Sequence, residues 1–444
     1  MVQTKQRKWH YAFFILIMTG LLLGFSRGGL MNSGGLFLTP VANDLNVNMG
    51  VLTIYFSISS LVLMLALPIL GRFIGKINIK TLIIASVILQ GGIFACFGLL
   101  SNVWGFYILS IPMAIGTAIP CHILGPVIVN SWFKKNTGLA MGVMMAISGG
   151  VSAILQPQIT SLIVNVGWRN AYWITGVIGV AVVAIIALLF IRLPGKKGSL
   201  PYGVQAVVEQ GNQNASEQPN THVEQGISVK SAKKSISLYA LVIFMLLLTA
   251  IASFSQLISS FVVSNGFDLS FGGTSMSLQM IGALIGALFF GALSDKIGAK
   301  ISVLISLSFG VAAFTLLLIT PTSSVMVMIS MVLFGFMTAS MGTMGPLLVS
   351  DVFGRKNYAA IYSIVAMGLA IGSMIGTPLF GFLYSAFNSY IPVIVLLLAM
   401  IGLCAGMIFI AYAFKKHMWK KEAQLEEKEQ VLSEPMILNP EMAE

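Results

Sequence analysis

The chain has 444 residues, of which 57% are hydrophobic and 9% charged, whereas a soluble domain carries about 25% charged residues. This composition excludes an ordinary soluble domain and predicts that lipid surrounds most of the chain. The net charge of +11 does not indicate a nucleic-acid-binding protein, because the basic residues punctuate apolar runs and do not form a soluble basic face.

Taken in chain order, the apolar runs predict twelve membrane-spanning helices. A helix needs about 20 mostly apolar residues to cross the roughly 30 Å hydrocarbon core. The first run is longer than a signal sequence and lacks a small-residue cleavage site, so it is predicted to be the first span. The predicted spans are 11–38, 50–71, 80–100, 104–129, 138–164, 170–191, 237–263, 270–292, 300–320, 325–349, 358–386 and 390–414.

The basic residues between the spans predict how the protein is oriented. All 25 basic residues except Arg27 and Arg169 fall in the terminal segments or in loops on one side of the predicted membrane. Loops rich in Lys and Arg remain in the cytoplasm. Both termini are therefore predicted to be cytoplasmic, and the protein is expected in the cell inner membrane.

The two halves of the chain repeat each other at an offset of 220 residues, as from Phe133 to Phe353. Such repeats are typical of transporters that bind substrate between the halves, near the middle of the membrane. The predicted fold is an all-α membrane protein with twelve transmembrane helices in two pseudo-symmetric six-helix bundles. The offset also pairs Gly71 with Gly291, Lys76 with Lys296, Lys80 with Lys300 and Lys135 with Arg355.

Changes in composition predict four parts of the chain. The N-terminal six-helix half covers 1–191, and the C-terminal half covers 237–414. Between them, 192–236 is polar and basic and is predicted to be a largely disordered cytoplasmic linker. The tail at 415–444, which is alternately basic and acidic, is predicted to be a frayed amphipathic helix with a flexible end.

The loop from Gly291 to Lys300 (GALSDKIGAK) resembles the signature between helices 8 and 9 of the major facilitator superfamily. An Asp at a helix end interacts with the helix dipole and with nearby basic residues, so such a loop can latch one arrangement of the halves. In the first-half copy, Gly75 stands where the Asp would be. The predicted latch residues are Gly291, Asp295, Lys296, Gly298 and Arg355.

Three further segments resemble the monocarboxylate and oxalate:formate branch of that superfamily. They are 132–142 (WFKKNTGLAMG), 167–173 (GWRNAYW) and 201–203 (PYG). The resemblance implies a transporter of small carboxylates that works by proton symport or by anion exchange. The sequence departs from the branch at His122, where an aromatic residue is usual, and it lacks a basic residue in predicted helices 8 and 11.

Arg27 is the only charged residue in the interior of a predicted span; Lys80 and Lys300 are the first residues of theirs. A central Arg costs about 2.5–3.5 kcal/mol on the insertion scale, and an anion in an aqueous cavity would offset that cost. At 1.5 Å per residue, Arg27 lies about 22 Å into the core, past its middle toward the outside. A guanidinium matches a carboxylate, which predicts anion binding; the alternative is that Arg27 snorkels outward or serves only structure.

His122 is the only histidine within a predicted span. It can bind the substrate or carry a proton, or it can be structural and bonded to a backbone carbonyl. Four neutral polar residues are further candidates for substrate binding, with hydrogen bonding between helices as the alternative. They are Asn32, Gln156, Gln256 and Gln279.

Glycines recur in predicted helix 5 (138, 142, 149 and 150) and in predicted helix 11 (368, 372 and 376). Small residues allow close helix packing, and here they also suggest a seam along which the halves rock. The three cysteines Cys96, Cys121 and Cys404 lie in apolar runs without metal-ligand spacing. No metal site and no cofactor are predicted.

The predicted function is secondary transport of a small or amphipathic organic monoanion by alternating access. All fourteen acidic residues lie outside the predicted spans, which disfavours a cationic substrate. A dianion is poorly matched to a single cation. The expected partners are the anion, a proton or counter-anion, and lipid, with no nucleic acid and a monomeric state. The alternatives are a multidrug or other hydrophobic-solute exporter and, last, a transporter-like sensor; no enzyme motif is present.

Overall fold

A computed structural model of the chain describes residues 11–71, 77–133, 137–191, 194, 202, 226–354 and 356–433. Within these ranges it contains eleven helices long and apolar enough to cross a membrane. One of them, Thr137–Leu189, has 53 residues and would extend about 80 Å, more than twice the hydrocarbon core. It contains a break at Gly167, so it supplies two spans and the predicted number of twelve is confirmed.

The spans are numbered α1 to α12 in chain order, and the helical tail is α13. The N-terminal half contains α1 (Tyr11–Leu45), α2 (Met49–Gly71), α3 (Ile79–Leu99), α4 (Val103–Trp132), α5 (137–166) and α6 (168–189). The C-terminal half contains α7 (Ile236–Ser264), α8 (Leu269–Ile297), α9 (Ala299–Ile319), α10 (Ser324–Phe353), α11 (Tyr358–Phe387) and α12 (Ile391–Ala413). The tail helix α13 is Lys415–Ser433.

Glycine makes two of the tight connections between spans. Gly167 (φ 80°, ψ 158°) lies between α5 and α6, and Gly298 (φ 82°, ψ 160°) lies between α8 and α9. Residues with a side chain rarely adopt this backbone conformation. The chain can therefore reverse direction within one or two residues at both places.

The structure supports the predicted repeat through the contacts of matching lysines. Lys80, at the start of α3, donates a hydrogen bond to the carbonyl of Leu188 at the end of α6. Its counterpart Lys300, at the start of α9, lies 5.0 Å and 5.2 Å from the ring centres of Phe409 and Tyr412 near the end of α12. Each lysine thus reaches the last helix of its own half.

The two sides of the molecule differ in how closely the halves approach. The side that carries Tyr11 and Lys415 is called the termini side, and the opposite side the far side. On the far side, Gly50 N donates to Ser385 Oγ at 3.3 Å, and the Gly273 backbone packs on Thr160. The contacts between α2 and α11, and between α5 and α8, join the halves from this side inward.

The innermost named contacts between the halves lie near the middle of these helices. Ser57 donates a hydrogen bond to the carbonyl of Met374, and a Cβ at Gly149 would lie 3.5 Å from Leu284. Toward the termini side, in contrast, the Cβ positions of Gly138 and Gly142 in α5 and of Gly291 in α8 have open space within 4 Å, and no hydrogen bond between described residues joins the halves there. The halves are therefore closed on the far side and diverge toward the termini side.

Two parts of the predicted linker pack against the halves. Tyr202 N donates to the carbonyl of Trp132 at 2.8 Å, and its ring lies 5.2 Å from that of Phe13. Ile227 N donates to the carbonyl of Phe353 at 2.8 Å, just before a short helix, Val229–Lys233. Most of the remaining linker lies outside the described residues.

The tail helix α13 docks on the termini side of the C-terminal half. Glu422 accepts a hydrogen bond from Ser228 N at 2.7 Å, and Trp419 Nε1 donates to the carbonyl of Val352 at 2.8 Å. Lys415 forms an ion pair with Asp351 at 2.9 Å. The first part of the predicted tail is therefore a docked helix, and 434–444 lies outside the described residues.

Candidate substrate-binding site

Two helices of the N-terminal half change from α-helical to π-helical geometry in the middle of the bundle. In α1 the π-helical stretch is Phe25–Asn32, and in α4 it is Ala118–Ile123. The two stretches contact each other. π-Helical turns are rare and are frequently found at functional sites. They place Arg27 and His122, the two titratable residues singled out from the sequence, on neighbouring turns.

The guanidinium of Arg27 points toward the termini side. Its Nη1 lies 3.5 Å from Sδ of Met145 in α5. Helices α1 and α5 both start on the termini side. At 1.5 Å per residue, Arg27 is about 24 Å from the start of α1, whereas Met145 is about 12 Å from the start of α5. The side chain therefore extends toward the termini side.

Within the described residues, Arg27 has no carboxylate partner. The acidic residues there lie at helix ends or in the tail: Asp44 pairs with Arg169 on the far side, and Asp268 caps the start of α8. The site thus contains one permanent positive charge and an imidazole, with no protein anion beside them in the ranges listed above.

The carbonyl before Arg27 is held by a glutamine that sequence reasoning missed. Gln90 of α3 is fully buried, and its Nε2 donates to the Ser26 carbonyl at 3.2 Å. Ser26 Oγ donates back to Gln90 Oε1 at 2.6 Å and lies 3.2 Å from Sγ of Cys121. The signal was present, because Gln90 is an isolated amide in the apolar run of α3.

The carbonyl after Arg27 is held by a second glutamine. Gln156 of α5 is fully buried, and its Nε2 donates to the Gly28 carbonyl at 3.0 Å. The Oε1 of Gln156 is buried without a hydrogen-bond partner in the described part of the chain. The α1 backbone approaches α5 closely here, since a Cβ at Gly28 would overlap Ser152.

His122 is half-buried beside the same network. Its Nε2 is buried and has no hydrogen-bond partner among the residues the structure describes. The alternative was a structural histidine bonded to a backbone carbonyl, and Nε2 forms no such bond. This enclosed, unpaired ring nitrogen lies in a helical stretch that contacts the one carrying Arg27.

The other three predicted polar candidates are spread along the bundle. Asn32 is half-buried at the end of the π-helical stretch of α1. Gln256 lies in α7, where its backbone packs on Gly35 of the other half, and its Oε1 is buried without a partner in the described ranges. Gln279 of α8 donates to Thr338 Oγ1 at 3.1 Å within the C-terminal half. Only Asn32 shares the turn that carries Arg27.

The predicted latch residues lie on the termini side. Gly298 makes the turn that ends α8, whereas Gly291 lies within that helix and makes no turn. Asp295 and Lys296 are exposed, and neither forms an ion pair with another described residue. Arg355 lies outside the described residues. In the described ranges no three His, Cys, Asp or Glu side chains come together as metal ligands.

A family model and several known proteins are similar to this chain and agree with the fold described above. The family model of the Major Facilitator Superfamily matches residues 16–280 and 245–440. The chain is 27% identical to the oxalate:formate antiporter of Oxalobacter formigenes over 398 residues, which are 85% of this chain and 89% of that protein. It is 22% identical to the sialic acid transporter NanX of Escherichia coli (strain K12), with coverage of 77% and 82%.

Solved structures show the same architecture at lower identity. The nucleoside transporter NupG is 12% identical, with a TM-score of 0.69 over 90% of this chain and 99% of that one. A bacterial homologue of the human lysosomal transporter Spinster, in an inward-facing conformation, is 15% identical, with a TM-score of 0.62 over 93% and 98%. At these identities the likeness concerns the fold alone.

Proposed function

The chain belongs to the major facilitator superfamily and is a membrane transporter, and on that premise we propose that it carries a small or amphipathic organic monoanion by alternating access. The observation that carries the proposal is Arg27. Its guanidinium lies within the bundle, aimed at the region between the halves, without a carboxylate partner in the described part of the chain. A substrate carboxylate is the group that would pair with it.

The neighbours of Arg27 favour an anion with one charge. His122 adds a hydrogen-bonding ring nitrogen, and Asn32 adds an amide on the same turn of α1. In the C-terminal half, the only basic residues within the spans are Lys296 and Lys300, at helix ends on the termini side, and the nearest candidates, Gln256 and Gln279, are neutral. A monoanion with an apolar or neutral remainder would therefore fit the site better than a dianion.

The proposed orientation follows from the basic loops. The termini side carries almost all of the lysines and arginines, so we assign it to the cytoplasm, with the protein in the inner membrane. In that orientation the described arrangement faces inward. The exposed Asp295 and Lys296 would then be latch groups that engage when the termini side closes. Coupling by anion exchange or by proton symport through His122 fits the site equally.

The test is uptake into proteoliposomes of radiolabelled monocarboxylates, larger organic acids and organic cations. We expect Arg27→Ala to abolish anion uptake and Arg27→Lys to weaken it about tenfold, because a lysine keeps the charge but loses the fork that matches a carboxylate. Arg169→Ala is the matched control, since Arg169 is an exposed arginine paired with Asp44 on the far side. Its uptake is expected to remain normal.

Gradients separate the two coupling modes in the same vesicles. Exchange requires a preloaded internal anion, whereas symport requires a proton gradient. The oxalate:formate antiporter among the relatives favours trying exchange first. Uptake of cations or neutral drugs that is unaffected by Arg27→Ala would overturn the carboxylate proposal and favour a hydrophobic-solute exporter.

A further inference from the structure

We infer that Gln90 and Gln156 are positioning residues, which fix the backbone on both sides of Arg27 and thereby aim its guanidinium at the substrate. The inference rests on the proposed function, since it explains how the proposed anion ligand is held. Neither glutamine needs to touch the substrate. Gln156 was a candidate for direct substrate binding on sequence grounds, and this inference gives it a different role.

The geometry of the two hydrogen bonds is the main support. Gln90 in α3 donates to the Ser26 carbonyl at 3.2 Å, and Gln156 in α5 donates to the Gly28 carbonyl at 3.0 Å. These carbonyls directly precede and follow Arg27. Two side-chain amides from two different helices therefore hydrogen-bond to the backbone on both sides of Arg27, the residue whose charge the proposed site depends on.

The local backbone explains why such hydrogen bonds are needed. Arg27 lies in the π-helical stretch Phe25–Asn32, and the π-helical geometry is less favourable than the α-helical one and seldom extends beyond a turn. Hydrogen bonds from fully buried amides stabilise that geometry where water does not compete. Without them, the stretch is free to return to α-helical geometry, which would rotate Arg27 about the helix axis.

The surroundings of each glutamine make the arrangement rigid. Gln90 is held from its other side by Ser26 Oγ, which donates to Oε1 at 2.6 Å. Gly28 lies so close to α5 that a Cβ there would overlap Ser152. The end of the arginine side chain meets Met145, also in α5. Helices α3 and α5 together thus fix both the backbone and the direction of the side chain.

The experiment replaces each amide by a side chain of similar length that cannot donate, in Gln90→Met and Gln156→Met. The probe is the radiolabelled monoanion, among acetate, lactate, pyruvate, benzoate and gluconate, that the wild type takes up fastest in an Arg27-dependent way. We expect KM to rise about fivefold to tenfold for each variant while kcat changes less than twofold, because binding and not rocking is impaired.

Ser306→Ala is the matched control, because Ser306 is also fully buried and donates one hydrogen bond to a backbone carbonyl of a neighbouring helix, that of Met337, but it lies in the other half. Its KM should remain that of the wild type. A combined variant with Arg27→Lys completes a double-mutant cycle. In that background the flexible lysine no longer depends on the backbone direction, so Gln90→Met should change KM less than twofold.

A second readout does not depend on transport. Phenylglyoxal modifies arginine side chains, and mass spectrometry of the Arg27 peptide gives its reaction rate in each variant. Both glutamine variants should change this rate at least threefold, and Ser306→Ala should not. Wild-type KM and wild-type Arg27 reactivity in Gln90→Met and Gln156→Met would overturn the inference. Loss of the proposed function would be seen separately, as uptake that does not need Arg27.

Discussion

At the scale of single residues, the proposed site rests on one arginine. Arg27 was predictable because a lone charge in an apolar run is conspicuous and costs free energy. The direction of its side chain was not predictable, since it depends on a π-helical turn that no residue pattern predicts. Gln90 carried the same signal as Gln156, an isolated amide in a span, but only the structure connects it with Arg27.

His122 provides a test at this scale. A buried polar atom without a partner, such as its Nε2, costs about 1–3 kcal/mol. We expect His122→Leu to leave the melting temperature in detergent unchanged or raised, and to lower anion uptake about tenfold through the lost hydrogen bond. His417→Leu in the exposed part of the tail is the control. Normal uptake by His122→Leu would remove this residue from the proposed site.

At the scale of helices, the glycine patterns indicated close packing but not the partner. Gly368, Gly372 and Gly376 of α11 pack on α7 within the same half. The glycines whose Cβ positions approach the other half are Gly35, Gly50, Gly149, Gly273 and Gly381. Spacing along one helix identifies a smooth face, but only the arrangement of the bundle determines which helix meets it. The predicted rocking seam in α11 therefore packs within one half.

Gly35 offers a test of the far-side closure. A side chain there would overlap the carbonyl of Gln256, so Gly35→Val should favour opening on the far side and lower uptake about tenfold. A reporter cysteine at Thr39, which lines a far-side pocket, should then react faster with a membrane-impermeant thiol reagent. Gly92→Val is the control, because no described atom lies within 4 Å of its Cβ position. Unchanged labelling would contradict the closure.

The tail helix α13 depends on Glu422. Burial raises the pKa of Glu422, but hydrogen bonds from Ser231 and Ser228 outweigh this and hold the pKa below its ordinary value of 4.5. Because the pKa of Glu422 is lower in the folded than in the unfolded state, the contact stabilises docking fully above pH 4.5. This stabilisation is lost only as the pH falls through the lowered pKa. Docking should therefore not change between about pH 5 and pH 8.

The corresponding variant is Glu422→Gln. At neutral pH it removes the charge that accepts the Ser228 N–H, so α13 should exchange its amide hydrogens faster and be cut sooner by protease. The exchange and cleavage rates of Glu422→Gln and the wild type should become alike only in acid, where the wild-type carboxylate is protonated. Equal exchange rates at pH 7 would show that Trp419 and Lys415 suffice to hold the tail.

At the scale of the whole molecule, the sequence was sufficient for the number of spans and the repeat. Apolar length and charge determine where a chain crosses lipid, so both follow from composition. The left-handed residues Asn46 and Gly266, at the ends of α1 and α7, fall at the same repeat offset and support it. Which side is closed could not be predicted, because the two arrangements of the halves share one sequence.

A cross-link tests the arrangement of the halves. A Cβ at Gly149 would lie 3.8 Å from Cβ of Leu284, the average separation in disulfides. Under mild oxidation the double variant Gly149→Cys/Leu284→Cys should form a disulfide between α5 and α8 and lose most of its uptake. Dithiothreitol should restore uptake, and each single variant should be unaffected. Full uptake by the cross-linked protein would show that these helices do not move apart during transport.

The anchored ends of the linker have a consequence for how the chain can change in evolution. Tyr202 is bound to the end of α4, and Ile227 is bound to the end of α10, so each half keeps its own anchor. An extended chain covers about 3.3–3.6 Å per residue, so 203–225 can reach across about 80 Å. This length places no limit on rocking. We therefore expect insertions or deletions within 203–225 to leave transport unaltered, so that a regulatory site could be added there at little cost to the fold.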